Sequence, residues 1–466
     1  MSPIRLTPAW LASAAGGRVR SGLGDVELGH VVTDSRALEA GDVFVALRGP
    51  RFDGHRFVSE AFGRGALAAV VDAGGDLPGD TRSRGALIEV PDTLTALQDV
   101  ARAVRREAGT TVIAITGSAG KTTTKEAIAE CLATRCRVVR NKGNLNNHIG
   151  LPLSLMELRS RPDVAVMELG MNHAGEISAL VSMAEPNVRV WTNVGDAHLG
   201  FFASPDAIAD AKAEILERAD EASVLVCNAD DPRVMSRIGR FPGRVLTFGT
   251  AASATVRATV VEDLGLNGMR AHVTTPSGDG VIETPLLGRG NLANLLAATA
   301  VSMHFGVPLD AVVSVARRLA PAGRRGAVRR LSRGVTLIDD SYNSSPSALR
   351  QALETLASVP GRRVAVLGEM LELGEHSVPL HEASGRRAAA AGVSWLVTVG
   401  GSPARAMANA AMASGMTPDQ VSYFETSQLA ADVVARGVCD GDVVLVKGSR
   451  GIATDVIADR IAAGLG

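Results

Sequence analysis

Short apolar runs alternate along most of the chain with longer segments whose apolar residues recur at helical spacing. In the middle of the chain, strands are predicted at Asp163 to Met167, Val188 to Thr192 and Ser223 to Cys227, and a helix over Thr93 to Glu107 precedes them. Strands that alternate with helices predict a parallel sheet with helices on both faces. Functional residues of such sheets gather at the carboxyl ends of the strands.

The pattern changes on either side of this region. Shorter strand-like runs are predicted before it, a meander of short strands follows it, and a second series of strands comes last: 27–32, 42–47, 68–71 and 86–90, with a helix around 55–62; 250–285; 335–338, 363–367, 396–399 and 443–446. We therefore predict an α/β protein with a small N-terminal domain over 1–90, a central P-loop-type domain over 91–324 and a C-terminal Rossmann-like domain over 325–466. Residues 320–326 form a predicted hinge.

One strand-to-helix junction has the composition of a phosphate-binding loop: Gly117, Ser118, Ala119, Gly120, Lys121, Thr122 and Thr123. Its glycines let the backbone approach a polyphosphate, and the helix that follows presents its N–H groups to the anion. The lysine bridges terminal phosphates, and the Thr122 hydroxyl joins a magnesium shell. The usual eight-residue pattern has glycine where Ile115 stands, so this loop is a shortened variant. An ordinary glycine turn is the structural alternative, and the Gly-Lys-Thr order at this junction favours phosphate binding.

Polar residues follow the next predicted strands. Glu168 ends one strand, and His198 lies shortly after the following one. An acid and an imidazole beside a phosphate loop could complete magnesium coordination. Each residue taken alone is equally explained as a polar cap or a structural side chain, so the prediction depends on their occurring together.

A lysine lies on the apolar face of a predicted helix. The helix begins after Ser204, a candidate N-cap, and runs to about Arg218. Lys212 shares its apolar stripe with Ile208 and Ile215. Two explanations remain open: the long stem carries the amine out to water, or the amine is functional and points at the site.

Two asparagines occur at the start of a later helix. Asn291 is predicted as its N-cap, which leaves Asn294 unexplained, because asparagine inside a helix is a modest penalty. In the N-terminal domain, the turn from Thr33 to Arg36 needs no more than capping to explain it.

Composition narrows the possible ligands and the compartment. The net charge of −1 has interspersed signs, so we expect no nucleic-acid partner. The four cysteines have neither metal-ligand spacing nor the density of a disulfide scaffold: Cys131, Cys136, Cys227 and Cys439. The N-terminus lacks a signal pattern and no apolar run reaches spanning length, so we expect a soluble cytoplasmic protein without membrane insertion.

Together these motifs resemble the Mur ligase family. The segments that carry the resemblance occur in order: Thr116 to Thr123, Gly143 to Asn147, Glu168 to Gly170, His198, Lys212, Asn294 and Asp339 to Asn343. Within the family, Asn144 to Leu153, Asp339 to Asn343 and Leu367 to Gly374 are most similar to members that act on a UDP-linked muramoyl tripeptide and D-alanyl-D-alanine. The resemblance covers nearly the whole chain and is weaker before residue 90.

The resemblance implies an ATP-dependent ligase of peptidoglycan precursor synthesis. ATP would phosphorylate the terminal carboxylate of the UDP-muramoyl tripeptide, and the amine of D-alanyl-D-alanine would then displace phosphate from the acyl phosphate. It further implies two magnesium ions, a carbamylated Lys212, a monomer, and a C-terminal domain that binds the dipeptide and rotates to close on ATP.

The resemblance also assigns roles to individual residues. Lys121, Lys212 and His198 are catalytic in this assignment. ATP contacts are Gly117, Ser118, Ala119, Gly120, Lys121, Thr122, Thr123, Asn294, Arg325 and Asp340; metal ligands are Thr122, Glu168, His198 and Lys212; substrate contacts are Thr33, Asp34, Ser35, Arg36, Asn147 and Asn343. Arg324 adjoins Arg325, and counting back from Asp339 favours Arg325 for the phosphate contact.

Alternatives remain open. A diamino-acid-adding member of the family is disfavoured because its Asp-Asn-Pro-Arg motif is absent from this chain. A folylpolyglutamate synthase would share the phosphate loop but not the asparagine-rich segment at 143–147. A nucleotide-dependent switch or binding protein would have no use for Lys212 on an apolar stripe.

Overall fold

The structure is a computed structural model that describes residues 2–21, 24–74 and 85–466. Within those residues, the strands form three sheets that follow one another along the chain, each packed with its own helices. The predicted three-domain α/β architecture is confirmed. The domains are called N-terminal, central and C-terminal below, after the sheets that they contain.

The N-terminal sheet is small and largely parallel, with the order β1-β5-β4-β3-β2 and an antiparallel pairing of β1 with β5. Its strands and helices, with the helix that leads out of it, are α1 Pro8–Ala14, β1 Arg18–Ser21, β2 Val31–Val32, β3 Val43–Val45, α2 Val58–Gly63, β4 Ala68–Asp72, β5 Ala86–Val90 and α3 Thr93–Ala108. The strand predicted over 27–32 is reduced to β2. Ladder bonds are missing there because Gly29 donates to the Gly41 carbonyl and the His30 N–H donates to the Asp42 carboxylate.

The central sheet has the order β14-β13-β12-β11-β10-β9-β6-β8-β7, and it is parallel from β7 to β12. Its elements are β6 Thr111–Thr116, α4 Lys121–Leu132, β7 Val138–Arg140, α5 Gly150–Leu155, β8 Val164–Glu168, α6 Glu176–Ala184, β9 Val188–Trp191, α7 Pro205–Ala213, β10 Val224–Asn228, α8 Pro232–Met235, β11 Arg244–Gly249, β12 Val256–Asp263, β13 Met269–Thr275, β14 Gly278–Thr284, α9 Gly288–His304 and α10 Leu309–Ala316. The predicted meander over 250–285 is the antiparallel extension β12–β14 of this sheet.

Strand order brings the predicted site residues to one edge. Strand β6 lies between β8 and β9. The loop that follows β6, Glu168 at the end of β8 and the residues after β9 therefore share the carboxyl edge of the sheet. Ligands of open α/β sheets bind at such an edge, where neighbouring strands lead their connections to opposite faces.

The helix that carries Lys212 is shorter than predicted. Helix α7 ends at Ala213, a single 3-10 turn continues to Leu216, and the expected extension to Arg218 is wrong. The buried Arg189 guanidinium donates hydrogen bonds to the carbonyls of Ile215 and Glu217, at 2.9 and 3.2 Å. These carbonyls are therefore not used for further helical turns, and the helix ends.

The C-terminal sheet has the order β15-β16-β20-β17-β18-β19 and is parallel except for β15. Its elements are β15 Ala327–Arg330, β16 Thr336–Asp340, α11 Pro346–Ala357, β17 Arg363–Gly368, α12 Ser377–Ala390, β18 Trp395–Val399, α13 Ser402–Ala413, β19 Val421–Phe424, α14 Ser427–Gly437, β20 Val443–Lys447 and α15 Asp455–Leu465. The described part of this domain contains no glycine-rich phosphate loop, as the sequence indicates.

Helix α3 is fixed to the central domain by one buried guanidinium. Arg105 donates to the carbonyls of Ala184 and Glu185, both at 2.8 Å, and to Asn187 Oδ1 at 2.9 Å. These acceptors follow α6, so the side chain holds α3 against the end of that helix.

Removing this guanidinium is predicted to destabilise the central domain. Arg105→Ala removes the guanidinium donor from the Ala184 and Glu185 carbonyls and one of two donors from Asn187 Oδ1, which also accepts from the Val112 N–H. We expect the free energy of unfolding to fall by about 3 kcal/mol. Urea denaturation followed by circular dichroism measures the change. Arg102→Ala is the control: this arginine has a side chain 40% exposed and, among the described residues, pairs with Asp99 alone, so its loss should cost about 0.5 kcal/mol or less. Equal effects of the two substitutions would contradict the assignment.

Candidate active site

The loop between β6 and α4 has a backbone that only glycine permits at two positions. Gly117 and Gly120 have φ of 154° and 82°. A Cβ on Gly117 would overlap Thr192 Oγ1, and one on Gly120 would overlap the Asn294 side-chain amide. Within the part of the chain that the structure describes, no side chain caps the first turn of α4. Its N–H groups are therefore available to an anion, which is the arrangement of a phosphate-binding site.

Residues that follow β9 form hydrogen bonds with the loop between β6 and α4. The Asn193 side chain accepts from Ala119 N–H at 2.9 Å and donates to the Ala119 carbonyl at 3.1 Å. Thr192 Oγ1 donates to the same carbonyl at 2.9 Å. Ser118 Oγ donates to the Gly195 carbonyl at 3.3 Å and accepts from the Gly195 N–H at 2.8 Å. The loop conformation is thus set by its neighbours without any ligand.

Glu168 lies directly beside the first turn of α4. Its carboxylate accepts from Thr122 Oγ1 at 2.6 Å and from Asn146 Nδ2 at 2.7 Å. Both Thr122 and Glu168 are buried. The Asn141 side chain fixes the end of β8 by accepting from the Glu168 N–H and donating to the Glu168 carbonyl. A hydroxyl and a carboxylate at this distance form an oxygen pair of the kind that magnesium binds.

Two lysines extend this group, Lys121 close to Glu168 and Lys212 close to Lys121. Lys121 Nζ donates to the Gly117 carbonyl at 2.8 Å; burial lowers its pKa, while the Glu168 carboxylate opposes the shift and Arg325 adds to it. The Lys212 side chain is buried, and its amine has no hydrogen-bond partner among the described residues. Burial, together with the charge of Lys121, lowers the pKa of Lys212 well below its usual value. Lys212 as a whole is 1% exposed, which disfavours the alternative in which a long stem carries the amine out to bulk water.

His198 faces a residue of the C-terminal domain. Its Nδ1 lies 2.6 Å from Glu372 Oε2, and both residues have positive φ, 65° in each case. The hydrogen bond to His198 lowers the pKa of the Glu372 carboxyl. His198 is therefore held by a carboxylate from across the domain boundary.

A cavity of about 940 Å³ joins these groups to the C-terminal domain. Of the predicted site residues, its lining includes Ser118, Ala119, Gly120, Lys121, Thr122, Thr123, Asn147, Glu168, His198, Asn294, Arg325, Asp340 and Asn343. Gly117 and Lys212 lie behind the lining. The cavity is large enough for a nucleotide and a second ligand.

Neither asparagine of α9 is its N-cap. The expected N-cap, Asn291, is wrong: α9 begins at Gly288, and Leu287 occupies the N-cap position. Asn291 Nδ2 donates to the Leu287 carbonyl at 2.8 Å, while its Oδ1 accepts from Asn294 Nδ2 at 3.2 Å. Asn294 is thereby directed at Gly120, and its position inside the helix is explained by this contact.

The neighbouring arginines differ in what they contact. Arg324 pairs with Asp339 at 3.4 Å and with Asp459 at 2.9 Å, both in the C-terminal domain. Arg325 lies with its guanidinium 3.7 Å from the centre of the Tyr342 ring and lines the cavity. It has no carboxylate partner in the described part of the chain, so its charge is available to a ligand.

Asp340 lies where two C-terminal strands end side by side. Lys447 Nζ donates to Asp340 Oδ2 at 2.7 Å and to the Asn343 carbonyl at 2.9 Å. Burial raises the pKa of the Asp340 carboxyl, and the Lys447 charge opposes that shift.

Other predicted contacts lie elsewhere or have a structural role as well. Thr33, Asp34, Ser35 and Arg36 are outside the cavity lining. Asp34 caps the turn and pairs with Arg36 at 2.7 Å, and this hydrogen bonding lowers the pKa of Asp34 to about 2. Asn147 Oδ1 accepts from the Ile149 and Gly150 N–H groups at the start of α5, at 3.2 and 2.8 Å. Local hydrogen bonding therefore accounts for Asn147 and for the turn of the N-terminal domain.

Some residues of the site were not predicted: Asn141, Asn146, Asn193, Glu372 and Lys447. Three of them belong to sequence motifs already singled out for other residues: Asn146, Glu372 and Lys447. Membership of those motifs was the only indication in the sequence of a role at the site. Asn141 and Asn193 act through the backbone of distant residues, which no local pattern indicates.

The donor set fits a nucleotide with magnesium. Within the described chain, no group of three or more His, Cys, Asp or Glu side chains comes together to hold a metal. Thr122 and Glu168 alone suit magnesium, which keeps several waters and binds through one or two carboxylates and substrate phosphates. As an ammonium, Lys212 would repel a cation, and as a neutral amine it would offer one uncharged nitrogen, a poorer ligand for magnesium than an anionic oxygen.

Sequence comparison shows the class of protein. The Mur ligase family, catalytic domain, matches residues 27–105; the Mur ligase middle domain matches 115–302; and the Mur ligase, glutamate ligase domain, matches 324–450. Matches of this extent, together with the relatives below, show that the chain belongs to the Mur ligase family.

Individual relatives indicate which members of the family this chain most resembles. A UDP-N-acetylmuramoyl-tripeptide--D-alanyl-D-alanine ligase of Bacillus subtilis (strain 168) is 34% identical over 433 residues, 92% of this chain and 92% of the relative. A crystal structure of MurF from Acinetobacter baumannii superposes with a TM-score of 0.88 at 30% identity, over 99% of this chain and 100% of that chain. The MurF ligase from Thermotoga maritima in complex with ADP gives 0.81 at 29% identity, over 93% and 97%. In the described residues, every helix is too short or too polar to cross a membrane.

The close approach at Gly117 generates a prediction. Gly117→Ala would push a methyl group into Thr192, so we expect the loop to lose its anion-binding shape and the affinity for ADP to fall about tenfold or more. Isothermal titration calorimetry with ADP and magnesium measures this, and circular dichroism verifies folding. Ala119→Ser, in the same loop, keeps the backbone bonds to Asn193 and should bind ADP normally. A folded Gly117→Ala protein with unchanged affinity would refute the proposed loop function.

Proposed function

We propose that this chain joins D-alanyl-D-alanine to UDP-N-acetylmuramoyl tripeptide with hydrolysis of ATP to ADP and phosphate. The observation that best supports the proposal is the pair formed by Thr122 of the phosphate loop and Glu168, in a cavity that the C-terminal domain also lines. Family membership over most of the chain and the named relatives support the choice of substrates.

The reaction proceeds in two transfers. The terminal carboxylate of the tripeptide attacks the γ-phosphorus of ATP, which releases ADP and gives an acyl phosphate. The free amine of D-alanyl-D-alanine then attacks the acyl carbon, loses a proton and expels inorganic phosphate through a tetrahedral intermediate. Such a reaction is catalysed mainly by positioning and by stabilisation of negative charge.

The residues of the cavity can both position the reactants and stabilise negative charge. The N–H groups of the phosphate loop, Lys121 and Arg325 neutralise the phosphate oxygens from different sides. Asn294 reaches the base or sugar side of the loop, and Asp340 accepts hydrogen bonds from ribose hydroxyls. Asn147 and Asn343 face the substrates, and the turn at Thr33 to Arg36 binds the uridine nucleotide outside the cavity.

Magnesium would add to the charge stabilisation on the transferred phosphoryl group. Thr122 would hold one ion together with ATP, and Glu168, His198 and Lys212 would hold a second. The neutral amine of a desolvated lysine can add carbon dioxide to form a carbamate. A carbamate at Lys212 would supply the anionic ligand that the site otherwise lacks.

We further propose domain boundaries near residues 90 and 325, a monomeric state and action in the cytoplasm, where ATP is available. The dipeptide would bind to the C-terminal side of the cavity, and closure of that domain would exclude water from the acyl phosphate.

The direct test is phosphate release across a panel of substrates. With UDP-muramoyl tripeptide and ATP, we expect turnover with D-alanyl-D-alanine and little with D-alanine, glutamate or a diamino acid. Mass spectrometry of the product identifies the new amide bond. Equal turnover with a single amino acid, or ATP hydrolysis without any acceptor, would overturn the proposal.

The carbamate is tested at Lys212. Lys212→Ala is expected to lower kcat about 100-fold, because a cation near the phosphoryl group loses its anionic ligand. A short carboxylic acid such as acetate should restore part of the activity. An organic amine of similar size is the control additive and should restore none. Rescue by the amine, or full activity without any addition, would contradict the carbamate.

The two neighbouring arginines give a matched pair of substitutions. Arg325→Ala should weaken ADP or ATP binding about tenfold, since one unpaired guanidinium is lost from the phosphate side of the cavity. Arg324→Ala should leave nucleotide affinity unchanged and lower the stability of the C-terminal domain, because its partners Asp339 and Asp459 lie there. Calorimetry with ADP and urea denaturation separate the two effects. The reverse pattern would assign the phosphate contact to Arg324.

A further inference from the structure

Two loops from different domains meet above the cavity. One follows β9 and contains residues 198–201, and the other follows β17 and contains residues 369–374. Besides the His198–Glu372 contact at 2.6 Å, the Gly200 N–H donates to the Glu372 carbonyl at 2.7 Å. Both the side chain and the main chain of Glu372 therefore bind the loop that carries His198. We call these two loops the closure contact.

Glycine makes this approach possible. A Cβ on Gly200 would lie 2.6 Å from the Gly374 nitrogen and 2.9 Å from the Glu372 carbonyl oxygen. No atoms of the central domain are among its nearest neighbours. The backbone of Gly200 is not in the left-handed region, so other residues could adopt its conformation. Its small size is thus required by the C-terminal domain and by nothing in its own loop.

Backbone strain occurs on both sides of the contact. His198 and Glu372 each have φ of 65°, and neither is a glycine. Such conformations cost of the order of 1 kcal/mol or more each and persist only when their surroundings fix them. An isolated surface ion pair would need no such backbone and would contribute little. The geometry is that of a defined docking of one loop on the other.

We propose that Glu372 is a positioning residue for His198, supplied by the C-terminal domain, so that the imidazole is oriented for the reaction only when the two domains are closed. The inference rests on the proposed function, in which His198 acts beside the transferred phosphoryl group. A carboxylate that accepts from Nδ1–H fixes the ring and leaves Nε2 as the nitrogen that faces a cation. Closure would then complete the site, and opening would disassemble it.

The steric half of the contact is tested with Gly200→Ala. The three atoms nearest to its methyl group all belong to the C-terminal domain, so the closed form should be lost while each domain stays folded. Small-angle X-ray scattering with a non-hydrolysable ATP analogue and UDP-muramoyl tripeptide should show compaction of the wild type and not of the variant. Gly239→Ala is the control, because a Cβ there meets nothing within 4 Å. Compaction of Gly200→Ala equal to that of the wild type would overturn the proposal.

The side-chain half is tested with Glu372→Ala. We expect kcat to fall 10- to 100-fold, with a matching rise in the magnesium concentration needed for half-maximal rate and with little change in KM for ATP. Glu372→Gln, which can still accept from Nδ1, should recover part of the rate. Glu375→Ala is the control, since this carboxylate is on the same loop and 89% exposed. If Glu372 had only a structural role, the wild type, Glu372→Ala and Glu372→Gln would need the same magnesium concentration, and Glu372→Gln would be no faster than Glu372→Ala. That result would overturn the proposal.

The two experiments separate this inference from the proposed function. If the wild type makes no dipeptide product, the proposed function fails, whatever the scattering shows. If the wild type makes product and both Gly200→Ala and Glu372→Ala match it in compaction and kcat, the ligase stands and the closure contact is rejected.

Discussion

The site depends on how closely the phosphate-loop backbone approaches two side chains from distant parts of the chain. Thr192 packs under Gly117, and Asn294 packs against Gly120, each where a Cβ would overlap it. The first contact ties the loop to the neighbouring strand β9, and the second ties it to α9. Because both contacts act on backbone, the loop keeps its anion-binding shape in the absence of a ligand. Such preorganisation lowers the cost of binding a polyphosphate.

The buried ionisable groups near the phosphate loop include more lysines than carboxylates, which suits an anionic ligand such as a polyphosphate. Lys121 is close to Glu168, Lys125 binds Asn141, which positions Glu168, and Lys212 is close to Lys121. Lys125 Nζ donates to the Asn141 carbonyl at 2.6 Å and lies 3.2 Å from Glu126. It therefore has partners, whereas Lys212 has none among the described residues. An unpaired buried ammonium is costly, and the lowered pKa of Lys212 is the expression of that cost.

The sequence predicted the parts of the fold that follow from periodicity, and the parts of the site that follow from strand ends. The three sheets, the loop after β6 and the meeting of that loop with Glu168 were all predictable, because parallel strands place their carboxyl ends at one edge. The end of α7 and the start of α9 were not. Arg189 cuts α7 short through backbone carbonyls, and Leu287 replaces Asn291 at the start of α9. In both cases a tertiary contact or backbone geometry overrides local capping rules.

Tertiary contacts also explain why some site residues could not be predicted from the sequence. These residues bind partners that are distant in the chain. Asn141 and Asn193 bind backbone groups of residues 27 and 74 positions away, and Glu372 acts on a histidine 174 positions away. Nothing in their own segments indicates those partners. By contrast, burial of Lys212 could be predicted, because Ile208 and Ile215 flank it at helical spacing and are themselves fully buried.

Glycines bring the central and C-terminal domains close at several points. A Cβ on Gly195 would lie 3.1 Å from Ser347 Oγ, one on Gly290 would lie 2.7 Å from Gln351 Oε1, and Gly200 lies against Gly374. Apolar side chains of the two domains also belong to one continuous buried cluster, which includes Leu199 and Leu353. Separating the domains therefore costs hydrophobic free energy in proportion to the apolar area that it exposes. The small residues set how closely the backbones approach, and the apolar cluster sets how much free energy opening requires.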